Sequence, residues 1–144
     1  MSQANNNVCS ILVVDDGDIE LKLMGHYLSR VECSALNSAK LNIAELRIFM
    51  AKSISQALDI ARKQSISICL CDYYLDNELG TDLYKLMLKE GLDMPLVMVT
   101  GLEQHDIDEL LISQNIQYVL PKEDLSVQSI TQCIRQVLSK STAS

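Results

Sequence analysis

Five short apolar runs, each followed by polar residues, constrain the fold of this chain more than any other feature of its sequence. Each run is four to six residues long and rich in Val, Ile and Leu. Such runs are typical of strands that are buried on both faces of a parallel sheet. The runs are ILVV at 11–14, LRIFMA at 46–51, ISICLC at 66–71, LVMV at 96–99 and IQYVL at 116–120.

Helical patterns lie between these runs. Apolar residues recur there at helix spacing, and Ser53 and Ser126 stand where N-cap residues belong. Strands that alternate with helices predict an α/β fold. We expect a doubly wound, five-stranded parallel sheet with helices on both faces and right-handed crossovers.

The 144 residues suit one domain, since single domains cluster at about 100–200 residues. We expect a flexible N-terminal tail over 1–9, one domain over 10–139 and a C-terminal tail over 140–144. Segment 33–44 is long for a link between a helix and a strand, where about 2–6 residues are usual. It could lengthen the first helix, form an extra turn or be an insertion that binds a partner.

The net charge of −7 argues against some classes of partner. Nucleic acids and anionic membrane surfaces attract a basic face, so neither is expected to bind this chain directly. No apolar stretch approaches the roughly 20 residues that span a bilayer, and no signal peptide is visible.

The five cysteines favour a reducing compartment. Their number is odd and three of them lie in or beside apolar runs, so we expect free thiols and a cytoplasmic protein. Cys69 and Cys71 could form half a metal site, but no second Cys/His pair has zinc spacing. We interpret them as small buried side chains on a strand.

Candidate site residues follow four of the five runs at the point where each strand ends. Asp15 and Asp16 follow the first run, Asp72 the third, Thr100 the fourth, and Lys122 comes just after the fifth. Carboxyl ends of parallel strands share one edge of the sheet, where ligands bind. Carboxylates suit Mg²⁺, and Lys122 adds a positive charge. The combination predicts a site that handles a phosphoryl group, with an Asp as nucleophile.

These motifs resemble the receiver domain of bacterial two-component response regulators. The resemblance extends from about Ser10 to Ser139 and rests on ILVVDD, on CLCD with Gly80 eight residues later, on LVMVTG and on VLPK. It implies a flavodoxin-like sheet with strand order 2-1-3-4-5.

The resemblance also implies roles for individual residues. Asp72 would be the phosphoacceptor. Asp16 would bind Mg²⁺ directly, Asp15 would help largely through water, and the backbone carbonyl of Tyr74 would complete the protein ligands.

Two more residues would act on the phosphoryl group. Thr100 would be the switch hydroxyl that moves toward it, and Lys122 would pair first with Asp72 and then with the phosphoryl oxygens. Phosphorylation would come from a sensor histidine kinase or a histidine phosphotransfer protein, and an effector protein or domain would read the result. The chain would be a regulatory domain rather than an enzyme, limited to its own Mg²⁺-dependent phosphorylation and dephosphorylation. Whether phosphorylation drives dimerisation stays open.

The chain departs from the usual family pattern at three places. Glu123 follows the lysine where the family usually has Pro, and Asp76 stands four residues after the acceptor where Pro is frequent. Val119 occupies the position of the usual switch aromatic. Tyr118 precedes it and should face the other side of the sheet, since strand side chains alternate.

Other functions fit the same residues. One alternative is a pseudo-receiver that is never phosphorylated and acts by protein contact alone. Another is a phosphatase with an Asp nucleophile, although enzymes of the haloacid-dehalogenase type expect a second Asp where this chain has Tyr74. A flavodoxin-like electron carrier is a weaker alternative, because few aromatic residues and glycines are present to hold a flavin.

Overall fold

The computed structural model describes residues 7–38, 40–114 and 116–143. The strands in these ranges are β1 (Val8–Val14), β2 (Glu45–Ala51), β3 (Ile68–Asp72), β4 (Tyr74–Leu75), β5 (Glu78–Leu79), β6 (Leu96–Thr100) and β7 (Tyr118–Pro121). The helices are α1 (Asp18–Ser29), α2 (Cys33–Leu36), α3 (Ile54–Lys63), α4 (Gly80–Lys89), α5 (Gln104–Gln114) and α6 (Val127–Ala143). A 3₁₀ turn covers Lys122–Asp124.

Five strands form one parallel sheet in the order β2-β1-β3-β6-β7. Counted within this sheet alone, that is the expected order 2-1-3-4-5, and the doubly wound α/β fold is confirmed. The strand order reverses at β1, so the carboxyl ends of β1 and β3 flank the switch point of the sheet. Ligands bind at such a point in open α/β folds.

Strand alternation divides the core into two layers. Ile11 and Val13 pack with α1 and α6 on one face of the sheet, whereas Leu12 and Val14 pack with α3 and α4 on the other. Both faces of β1 are therefore buried, which explains why its sequence is apolar without alternation. Among the helices in the described ranges, none is both long enough and apolar enough to cross a membrane.

Both predicted N-caps are confirmed. The Ser53 hydroxyl oxygen accepts a hydrogen bond of 3.1 Å from the backbone N–H of Gln56 at the start of α3. The Ser126 hydroxyl oxygen accepts one of 3.0 Å from the N–H of Ser129 at the start of α6. Each bond satisfies a backbone donor that the first turn of a helix leaves free.

The ends of the domain differ from the prediction. β1 begins at Val8, which pairs with Glu45, and Cys9 is buried, so residues 8 and 9 belong to the sheet and not to the tail assigned over 1–9. α6 continues to Ala143, so most of the tail assigned over 140–144 is helical. Residues 1–6 and residue 144 lie outside the described part of the chain.

Segment 33–44 adds structure of its own. α1 ends at Ser29, so the segment does not lengthen that helix. It forms the single turn α2, whose Leu36 is buried in the core, and then a link in which Ile43 is buried. The Asn37 side chain accepts a hydrogen bond from the N–H of Ile43 and closes this link. The extra turn is the alternative that the structure supports.

A small hairpin that the sequence analysis did not predict follows β3. β4 and β5 pair antiparallel, with Tyr74 opposite Leu79, and Asn77 turns the chain with a positive φ of 61°. The Glu78 carboxylate accepts a hydrogen bond of 3.3 Å from the N–H of Ile54, at the start of α3. The hairpin is thus tied to the neighbouring helix directly after Asp72.

Candidate functional site

Five of the six predicted site residues lie at the carboxyl edge of the main sheet, and Tyr74 lies just beyond that edge in β4. Asp15 and Asp16 follow β1, Asp72 ends β3, Thr100 ends β6, and Lys122 begins the turn after β7. The register aligns these ends, because Asp72 pairs with Val99, one residue before Thr100. The sheet therefore brings residues from four strands to one rim.

The three acidic residues form a cluster at the switch point. One carboxylate oxygen from each of Asp15, Asp16 and Asp72 lies within 4.8 Å of the other two. Asp15 and Asp72 are buried, whereas Asp16 is exposed. Hard oxygen donors at this separation fit a divalent cation such as Mg²⁺, which takes carboxylates together with waters and phosphate oxygens.

Burial controls the ionisation of two of these acids. It raises the pKa of Asp15 from its ordinary value of 3.8 to about 6, and the charge of Asp72 adds to this rise. The backbone N–H of Gly17 donates a 2.9 Å hydrogen bond to Asp15 and partly offsets it. Burial also raises the pKa of Asp72, against the lowering effect of Lys122. Positive charge at the site therefore stabilises both carboxylates.

Lys122 supplies one such charge. Its Nζ lies 3.2 Å from Oδ1 of Asp72, whose side chain is 8% exposed against 38% for that of Lys122. The lysine thus reaches a nearly buried carboxylate while more than a third of its own side chain stays exposed to water. Asp72 also accepts a hydrogen bond from the backbone N–H of Tyr74.

Thr100 is placed at the rim but its hydroxyl is engaged locally. The residue is 1% exposed, and its Oγ1 accepts a 3.0 Å hydrogen bond from the N–H of Leu102. This bond closes the turn between β6 and α5. The structure places Thr100 beside the acceptor strand, and its role as a switch hydroxyl stays a prediction.

Gly80 has a physical role that sequence reasoning missed. A Cβ atom at this position would lie 2.5 Å from the backbone oxygen of Asp72 and 2.8 Å from Sδ of Met98. The N–H of Gly80 also donates a 2.7 Å hydrogen bond to the oxygen of Tyr73. The first turn of α4 therefore packs directly against the backbone of the candidate nucleophile, and only glycine allows this approach. The spacing of Gly80 from Asp72 was noted in the sequence, but spacing alone does not reveal a steric contact.

The structure also bears on the two cysteines of β3 and on the orientation of Tyr118 and Val119. Cys69 and Cys71 are buried in β3, and burial raises the pKa of Cys69 to about 12, as expected for core side chains. Tyr118 packs with the α1/α6 core and Val119 with the α3/α4 core, so the two do face opposite sides. Lys140 Nζ lies 5.7 Å from the centre of the Tyr118 ring.

Comparison with known proteins agrees with this geometry. The family model of the response regulator receiver domain matches residues 11–135. No curated protein shows a significant sequence match to the chain.

Three solved receiver domains illustrate the structural similarity. The signal receiver domain of an HD domain-containing protein from Pseudomonas fluorescens Pf-5 has a TM-score of 0.74 at 18% identity, covering 94% of this chain and 98% of that one. A receiver domain protein from Clostridium thermocellum gives 0.74 at 19% identity, and a CheY-like one from Methanospirillum hungatei JF-1 gives 0.74 at 18%, both with the same coverage. Identities this low support the fold and not a particular pathway.

Proposed function

Because this chain belongs to the family of response regulator receiver domains, which act in two-component systems, we propose that it is a phosphorylation-dependent signalling switch. It accepts a phosphoryl group on Asp72 from a phosphohistidine of a sensor histidine kinase or a histidine phosphotransfer protein. The observation that carries the proposal is the 3.2 Å contact between Lys122 and Asp72 beside the acidic cluster.

The contact supports a role for Asp72 as nucleophile. Burial disfavours its charged form, and Lys122 favours that form, so the carboxylate that must attack is stabilised where it stands. One oxygen of Asp72 bonds to phosphorus while the bond from phosphorus to the imidazole nitrogen breaks, and the nitrogen keeps the electron pair. The product is an acyl phosphate, and hydrolysis returns Asp72 to its free state.

The acidic cluster of Asp15, Asp16 and Asp72 would hold the metal. Asp16, Asp15 and the Tyr74 carbonyl are its proposed protein ligands, together with Asp72. A bound Mg²⁺ supplies charge neutralisation for the incoming phosphoryl oxygens. Lys122 donates to the same oxygens once its contact with the free carboxylate ends.

Thr100 would couple the charge of the phosphoryl group on Asp72 to a conformational change. A phosphoryl group adds about −1.5 to −2 charge and three strong acceptors at neutral pH. The Thr100 hydroxyl would turn toward it as a donor and give up its bond to Leu102, which loosens the start of α5. Repacking of α5, β7 and α6 would then present a new surface to a downstream effector. Since Val119 replaces the usual aromatic, this coupling runs without an aromatic side chain.

Exposed apolar residues beside the site suit contact with a phosphodonor. Ile19 is 77% exposed and Leu23 is 44% exposed on the first turns of α1, directly after Asp16. They form a small patch on which a helix of the donor protein could pack while its phosphohistidine reaches Asp72. All five cysteines are free thiols, which supports a cytoplasmic location.

Intact-mass measurement after treatment with acetyl phosphate tests the proposal. We expect one phosphoryl adduct that needs Mg²⁺, disappears in Asp72→Asn and persists in the matched control Asp76→Asn, whose aspartate is exposed. Absence of any adduct in the wild-type chain would instead support the pseudo-receiver. Sustained turnover of phosphomonoesters would support the phosphatase.

A further inference from the structure

A cavity of about 160 Å³ lies beneath the acidic rim, between the sheet and α1. Its apolar wall comes from β1, β3, β6, α1 and the segment after the 3₁₀ turn: Val13, Leu70, Val99, Leu23, Met24 and Leu125. Val13 and Leu70 are paired in the sheet, each two residues before a site aspartate. Side chains two apart share one face of a strand, so the apolar floor lies directly below the carboxylates.

The size of the cavity suits a small organic molecule. A dry cavity of about 150 Å³ lined by aliphatic and aromatic side chains holds benzene. Water in this cavity would meet few hydrogen-bond partners along the aliphatic wall. An apolar body that displaces such poorly bonded water gains affinity.

The charged part of the wall selects the polar group of that molecule. Asp15, Asp72, Glu20 and Lys122 also line the cavity. Since Lys122 already pairs with Asp72, the two remaining carboxylates leave this wall negative. A cation is therefore the complementary group.

We propose that this cavity binds a small organic cation, an amine carried on an apolar body about the size of a benzene ring. The amine faces Asp15 and Glu20, and the ring lies over Val13, Leu70 and Val99. The cavity shares Asp15, Asp72 and Lys122 with the site of the proposed function, but amine binding does not require phosphorylation, so either proposal can fail without the other.

Benzylamine is the probe for the test, and benzyl alcohol is its neutral counterpart. The experiment uses the full chain, unphosphorylated and without Mg²⁺, at pH 8. Methyl NMR follows Val13, Leu70 and Val99 during titration with each probe. We expect saturable shifts of these methyls with benzylamine and contacts between its ring protons and the same methyls in nuclear Overhauser spectra.

Two variants separate the cavity from the surface. Leu23→Trp places a large ring at the wall and should weaken benzylamine binding about tenfold, equal to about 1.4 kcal/mol. Ile19→Trp is the matched control, since it adds the same ring one turn earlier on α1, outside the cavity wall, and should leave binding unchanged. Glu20→Gln should weaken benzylamine about two- to fivefold, as expected for an exposed charge, and leave benzyl alcohol unaffected.

Specific results would overturn the proposal. These are the absence of saturable shifts, ring contacts only to methyls outside the cavity, or equal loss of binding in the two Trp variants. The ring contacts in the wild-type chain decide the matter even if Leu23→Trp fails to fold. A chain that takes up no phosphoryl group but binds benzylamine would contradict the proposed function alone.

Discussion

Lys122 and Asp72 form an ion pair across the end of β6, although neither residue belongs to that strand. β6 lies between β3 and β7 in the sheet, yet Nζ of Lys122 lies 3.2 Å from Oδ1 of Asp72. The lysine begins the turn after β7, and its long stem passes beside Gly101, the residue after β6, to reach the aspartate. This pair connects the candidate nucleophile to the segment that leads into α6.

Lys122→Met is expected to raise the pKa of Asp72 further, because burial then acts without the opposing ammonium group. Carbon-detected NMR titration of the Asp72 carboxyl group measures this shift. Uptake of phosphoryl from acetyl phosphate should fall as well. Lys140→Met is the control, since Lys140 lies near Tyr118 and not at the site. An unchanged Asp72 titration in Lys122→Met would contradict the proposed electrostatic coupling.

Asp15 makes the stability of the metal-free protein depend on pH. Its pKa rises from 3.8 when unfolded to about 6 when folded, so between these values the folded state binds more protons. Its contribution to stability is therefore complete below pH 3.8 and is lost as the pH rises through about 6. Asp15→Asn should raise the free energy of unfolding by about 1–3 kcal/mol at pH 7, with little effect at pH 3.5.

Urea denaturation in Mg²⁺-free buffer measures this difference. The relevant comparison is the change caused by Asp15→Asn at the two pH values, since other groups contribute equally to both proteins. A stability gain of the same size at both pH values would show that the effect is packing and not ionisation.

Mg²⁺ should stabilise the folded chain through the acidic cluster. At about a hundred times its Kd, a ligand that binds only the folded state adds about 2.7 kcal/mol. We expect Mg²⁺ to raise Tm at pH 7 and to do so less at pH 5, where Asp15 is mostly protonated.

Asp16→Asn should lower the apparent affinity for Mg²⁺ about tenfold or more. Even the loss of a residue that only hydrogen-bonds to a metal ligand lowers metal affinity about 10–100-fold. Asp76→Asn serves as the control, because Asp76 is exposed and lies outside the cluster. Calorimetric titration measures both. Equal Mg²⁺ affinity in the two variants would place the ion elsewhere.

Gly80→Ala should destabilise the fold by about 1–3 kcal/mol, because the added methyl group meets the backbone of Asp72 at 2.5 Å. Gly101→Ala is the matched control at the same rim, since its Cβ would have the Lys122 stem at 4.0 Å and nothing closer. Thermal denaturation of both variants gives the comparison. A Gly80→Ala protein as stable as Gly101→Ala would mean that α4 can move away from Asp72 at no cost.

The repeating order of strands and helices was predictable because it depends on local patterns. The runs around Leu12, Leu70 and Met98 are apolar on both faces, and Ser53 and Ser126 are good caps wherever the chain folds. The ends of strands were less predictable. Val8 joins β1 because Glu45 pairs with it, and such pairing is not visible in local composition.

The members of the site were predictable from their position after apolar runs, and the contact between Lys122 and Asp72 followed from the family resemblance, but other contacts were not predictable. The burial of Asp15, the engagement of the Thr100 hydroxyl with Leu102 and the packing of Gly80 on Asp72 all depend on how separate segments meet. The hairpin after Asp72 and the cavity beneath the acidic rim also depend on how separate segments meet.

Local chemistry in this chain specifies which residues can serve as acid, hydroxyl and amine, and it orders them along alternating strands and helices. Distances, burial and pKa shifts arise only when the parallel sheet aligns the ends of β1, β3, β6 and β7. The reason is that these quantities depend on atoms far apart in sequence, whose separation is set by packing and not by the residues themselves.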